Sequence, residues 1–88
     1  MDKTNDPVKF HKGDLEFIRD NYPDIYSKIE PIVCSDMITV RSYTDEDWVK
    51  LQDILTDGLL DPISIDGMEL TKKGLKLEWI IDELLINN

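Results

Sequence analysis

The sequence predicts an α+β fold: one small, mainly helical domain with three to four helices, one strand and a β-hairpin in its C-terminal half. Three observations carry this reading. Apolar residues recur at three- and four-residue steps over most of the chain, which is helical spacing. One run of β-branched and aromatic types, Met37 to Tyr43, departs from it. Asp66-Gly67 stands between two short apolar runs, a strong hairpin signal. Eighty-eight residues suffice for one domain and not for two. With 41% hydrophobic and 33% charged residues, the composition is globular, neither disordered nor fibrous.

Residues 1–13 are polar, contain Pro7 and close at Gly13, which reads as a flexible N-terminal arm ahead of a compact domain over 14–88. Asp14 is placed to cap a helix over 14–22, with Leu15, Ile18 and Tyr22 on one face and Phe17 beside them. Pro23 suits the first turn of a second helix, whose stripe is Ile25, Tyr26 and Ile29, and Pro31 stops it. Residues 37–43 then predict a strand with Ile38 and Val40 inward.

Thr44-Asp45-Glu46-Asp47 is close to a capping box and opens a helix from Asp45 to about Asp57. Trp48, Leu51 and Leu55 step along its inner face, Val49 and Ile54 widen it, and Gly58 is placed to end it in a left-handed conformation. In the hairpin, a type I′ turn at Asp66-Gly67 pairs Ile65 with Met68 and Ile63 with Leu70. Those four apolar side chains then share one face, and Ser64 and Glu69 the other. Thr71 caps a last helix in which Leu77, Ile80, Ile81, Leu84 and Leu85 are spaced for burial, with Leu75, Trp79 and Ile86 beyond that stripe.

Charge is the loudest compositional feature. Ten Lys and Arg against 19 Asp and Glu give −9, the wrong sign for a protein that grips phosphates, so nucleic acid is not the expected partner. Cys34 and His11 are the single cysteine and histidine, too few for a disulfide framework, a Cys/His zinc site or an iron–sulfur cluster within one chain. No metal or other cofactor is expected. Cys34 has no histidine placed to activate it and reads as a small buried hydrophobe or a bland thiol, while His11 reads as a solvated arm residue. The first residues lack the layout of a signal peptide, and no apolar run exceeds three residues, so neither secretion nor a membrane span is expected. A reducing, cytoplasmic location fits.

Residues 44–85 carry a more specific pattern: an acid-capped helix, Gly58-Leu59-Leu60, a short hairpin with Asp66-Gly67 at its tip, then Leu70-Thr71-Lys72-Lys73-Gly74-Leu75 opening a helix. This resembles the C-terminal half of the winged-helix domains of small phage and bacterial regulators. The resemblance implies that the 45–57 helix is the recognition element and the hairpin the wing of a DNA-binding transcriptional regulator. The same helix carries Asp45, Glu46, Asp47, Asp53 and Asp57 against Lys50, a face that repels phosphate.

Three sets of candidate residues follow. Asp45, Glu46, Asp47, Asp53, Asp57 and Asp61 set six acids against one lysine over residues 44–61, so the leading expectation is a non-enzymatic module docking on the basic surface of a partner protein. Helix capping is the plainer account of the first three. Lys72, Lys73 and Lys76 lie in the first turns of the last helix, where the dipole disfavours cations; they form either an anion site or a counterweight to neighbouring acids. Trp79, Ile80 and Ile86 give that helix more apolar width than a rim position needs, so it is either the central helix of the core or the face of a homodimer.

Overall fold

The structure, a computed structural model, describes residues 7–87. α1 (Asp14–Asn21) and α2 (Pro23–Ile29) meet at Tyr22, whose φ of −130° and ψ of 64° interrupt the helix. Pro23 causes the break, because its ring disfavours the helical region for the residue before it, yet it costs no hydrogen bond as the first residue of α2. Pro31 ends α2 in a single 3-10 turn, Glu30–Ile32. α3 (Asp45–Asp57) begins where the Thr44 hydroxyl accepts the Asp47 N–H at 3.0 Å, as the capping pattern predicts. α4 (Lys72–Asn87) is capped in turn by Thr71, whose hydroxyl accepts the Gly74 N–H at 3.1 Å.

These four helices close on a shared interior. Leu15 and Ile18 of α1, Ile25, Tyr26 and Ile29 of α2, Leu51 and Leu55 of α3, and Leu77, Ile80 and Leu84 of α4 are all buried. Their removal from water is the main force that holds helices this short in place.

The N-terminal segment differs from the flexible arm expected over 1–13. β1 (Val8–Lys9) pairs antiparallel with β2 (Thr39–Val40), Val8 opposite Val40, and Val33 meets Val40 as an isolated antiparallel bridge. Val8 and Phe10 are buried in the core on either side of exposed Lys9. Residues 8–13 therefore belong to the domain, and residues 1–6 lie outside the described residues. Gly13, at φ 93°, precedes α1 as its N-cap, so Asp14 is the first helical residue instead of the cap. β2 is shorter than the strand expected over 37–43. The Asp36 carboxylate gathers the N–H groups of Ile38 and Thr39 and the Thr39 hydroxyl, and Met37 turns to φ 56°. Those bonds, the Thr39 amide foremost, hold the Asp36 carboxyl below its ordinary pKa.

The hairpin is displaced by one residue. β3 (Ile65–Asp66) and β4 (Glu69–Leu70) pair Ile65 with Leu70 and Asp66 with Glu69, so the turn is Gly67-Met68. Gly67 has φ 66° and Met68 does not share its sign, a turn that needs glycine at its first central position alone. Ile65 exchanges Met68 for Leu70, two positions on, so the strand faces are kept and Met68 leaves the ladder for the turn. Met68, expected inward, is fully exposed, and Ser64, expected outward, is fully buried.

Ser64 is buried because it is fully bonded. Its hydroxyl donates to the Gly58 carbonyl at 2.6 Å, which leaves the Tyr22 hydroxyl, also at 2.6 Å, to donate to it. The Ser64 carbonyl accepts the Thr71 N–H at 2.8 Å. A Cβ on Gly74 would stand 2.3 Å from that same carbonyl oxygen, so only glycine lets the first turn of α4 close on it. Gly58 is right-handed, at φ −62°, rather than left-handed as expected; a Cβ there would stand 2.6 Å from Leu77 Cδ2, and close packing explains the glycine.

Ser64→Ala strands the Tyr22 hydroxyl and the Gly58 carbonyl, at a cost of about 2–3 kcal/mol, whereas Tyr22→Phe leaves Ser64 bonded to Gly58 and costs about 1 kcal/mol. Gly74→Ala forces α4 off Ser64 and costs about 2–3 kcal/mol. Urea unfolding of the three variants checks both the magnitudes and their order.

Candidate functional site

The six acids expected to form one surface are divided by the fold. Asp47 lies partly buried, and its carboxylate accepts the Tyr43 N–H at 3.4 Å. Asp61 Oδ1 accepts the Ile63 N–H at 3.0 Å and so shapes the turn ahead of the hairpin. Asp45, Glu46, Asp53 and Asp57 are exposed. Because α3 buries Leu51 and Leu55, positions 46, 50, 53 and 57, recurring at steps of four, three and four, form one strip on its outer side. Glu46, Asp53 and Asp57 occupy that strip with Lys50 among them, the acids outnumbering the base three to one.

The three lysines do not converge. Lys72 and Lys73 are exposed at the start of α4, while Lys76 turns away: its Nζ lies 3.6 Å from Asp14 Oδ1 and 4.8 Å from the centre of the Trp79 ring. This corrects the expectation of a joint anion site. Asp14, at the first position of α1, is 2% exposed, and a carboxylate so placed needs a cation beside it. Burial pushes the Asp14 carboxyl above its ordinary pKa, and the charge of Lys76 is the largest opposing influence. His11, expected to be solvated, stacks on Trp79 with ring centres 5.4 Å apart, and its Nε2 lies 3.5 Å from Glu83 Oε1. His11, Asp14, Lys76, Trp79 and Glu83 thus form one cluster between the N-terminal segment and α4. Its sequence signal was the spacing of Lys76, Trp79 and Glu83 at steps of three and four, which places them on one side of α4.

α4 serves the core and the surface at once. Leu77, Ile80 and Leu84 face inward, whereas Leu75 is 53% exposed, Trp79 44%, Leu85 53% and Ile86 75%. Ile80, grouped above with Trp79 and Ile86 as an outward residue, belongs to the core. At 100° per residue it lies with Leu77 and Leu84, and Trp79 and Ile86 lie with Leu75.

Cys34 is a free, half-buried thiol. Among the described residues, no group of three or more His, Cys, Asp or Glu side chains could hold a metal ion, and no helix is long and apolar enough to cross a membrane. Comparison of the chain with protein-family models, curated proteins and solved structures found no match.

The Asp14–Lys76 pair makes a pH-dependent prediction. A raised folded pKa means that the folded state keeps the Asp14 proton to higher pH than the unfolded state. This group's contribution to stability therefore falls as pH rises from the ordinary carboxylate value through the folded one. Lys76→Met deepens that loss by about 1–2 kcal/mol at neutral pH, less than for a fully buried pair because the Lys76 side chain is 44% exposed. Denaturant melts will show the deficit shrinking as pH falls through the raised folded pKa of Asp14, and absent when Asp14→Asn is the background.

Proposed function

We propose that the chain is a non-enzymatic, cytoplasmic protein-binding module, a small regulator or inhibitor that docks on a basic surface of a partner protein. The observation that carries this reading is the outer strip of α3, where Glu46, Asp53 and Asp57 face solvent on a rigid thirteen-residue helix. A net charge of −9 adds a long-range field that steers a positive partner toward the protein and weakens as salt is raised. Asp45 adds an exposed charge at the start of the helix, to one side of the strip. Asp47 and Asp61 contribute charge but hold backbone amides, and act mainly on local structure.

A second reading is a DNA-binding regulator of winged-helix type. The order α3, hairpin, α4 and the exposed Lys72 and Lys73 beside the hairpin favour it. The sign of α3 weighs against it, since its outer strip would meet phosphate with three acids.

Glu46→Gln/Asp53→Asn/Asp57→Asn changes charge at exposed positions only, so unfolding stability stays within about 0.5 kcal/mol of the parent. In affinity capture from a lysate of the source organism, a basic protein held by the parent is lost or bound about tenfold more weakly by this triple variant, with salt-dependent binding to the parent. A partner retained equally by both baits would overturn the proposal, as would appreciable salt-dependent binding of the parent to mixed-sequence duplex DNA.

A further inference from the structure

We infer that the outer face of α4 is the contact face of a homodimer in which two copies of α4 lie antiparallel across a twofold axis. Positions 72, 75, 79, 82 and 86 recur at alternating steps of three and four, the seam spacing of two supercoiled helices. Lys72, Leu75, Trp79, Asp82 and Ile86 occupy them, and all five are exposed. The opposite stripe, Leu77, Ile80 and Leu84, is spent on the core, and Leu75 and Ile86 stay 53% and 75% exposed. Trp79 is already held in place by His11 stacked on one side and Lys76 over its ring, and a pre-set aromatic anchor loses little entropy on binding.

Charge selects the occupant. Within the seam Lys72 and Asp82 flank Leu75 and Trp79, about 15 Å apart along the helix and too far to meet in one chain. Neither has an ion-pair partner among the described residues. An antiparallel second copy with the axis level with residue 77 places Lys72 opposite Asp82 and Leu75 opposite Trp79. Symmetry then repeats each contact. A parallel pair would instead set Lys72 against Lys72 and Asp82 against Asp82, with the two helix dipoles aligned. The charged layers add little strength, but they fix direction and register. Two contacts are adverse: Lys76 and Glu78, on the two flanks beside the axis, each meet their own symmetry mates. A seam on one sixteen-residue helix is short, so the dimer dissociates on modest dilution.

Sedimentation equilibrium of the full chain from about 10 μM to about 1 mM tests this, with circular dichroism confirming that each variant folds. The parent dimerises, and Leu75→Glu abolishes it. Lys72→Asp and Asp82→Lys each weaken association about tenfold or more by creating two like-charge contacts. The double variant Lys72→Asp/Asp82→Lys recovers the parent affinity, and an equimolar mixture of the two single variants forms a heterodimer. Glu78→Gln tightens the dimer. A parent that stays monomeric to the highest concentration overturns the homodimer. A dimer indifferent to Lys72 and Asp82 overturns the antiparallel register. Neither outcome touches the role of the α3 strip, which lies outside this contact.

Discussion

The buried hydroxyl and carbonyl of Ser64 tie the hairpin to three helices of this fold. The hydroxyl binds the break between the first two helices through Tyr22 and the end of α3 through Gly58. The carbonyl binds Thr71 and abuts Gly74 at the beginning of α4. A buried polar group is costly unless it is bonded, so these parts must arrive together or not at all. The hairpin is held at its base, leaving Met68 at its tip in water. The same contact fixes the start and rotation of α4, and through that rotation it decides which side chains enter the core and which meet solvent. The pairing of Lys76 with Asp14 and the outward stripe at Trp79 are both downstream of one serine.

The acidity of the chain is put to several distinct uses. Asp36, Asp47 and Asp61 collect backbone amides where the chain turns or a helix begins, and Asp14 is taken into the interior against Lys76. What faces outward on α3 is a narrower set, ordered by helical geometry into a strip. The formal charge therefore overstates the surface available to a partner and understates how well its remaining part is arranged. Lysines are divided in the same way, since Lys76 is structural and Lys72 and Lys73 are not.

Most of the helices could be read from the chain because their signals are local. Thr44 before a run of acids, Pro23 after Tyr22 and the three-and-four spacing of Leu51 with Leu55 each act within a turn or two. The misreadings share a different origin. Val8 and Phe10 become core residues only through pairing with a strand some thirty positions away, and two apolar residues among polar neighbours carry no periodicity to betray it. The hairpin register is not legible locally, because Asp66-Gly67 and Gly67-Met68 are both plausible turns. The decision lay with Ser64, whose partners come from three other parts of the chain. At the candidate surfaces, the acid strip on α3 was visible from spacing alone. The commitment of Lys76 was not, because nothing near Asp14 in sequence says that its carboxylate is buried.

The stacking of His11 on Trp79 gives the chain a topological property as well as a contact. Together with the Lys76–Asp14 pair, it closes a loop through most of the described chain, joining the segment around the start of α1 to the last helix. Most of the entropy of such a closure is lost only once, and further contacts at the same junction add their energy with little additional loss. The segment before α1 and the last helix are thereby mechanically coupled. Peeling the first strand away would loosen the last helix, and a disturbance of the last helix would release the first strand. The molecule behaves less like a row of elements than like a ring, with no separable half.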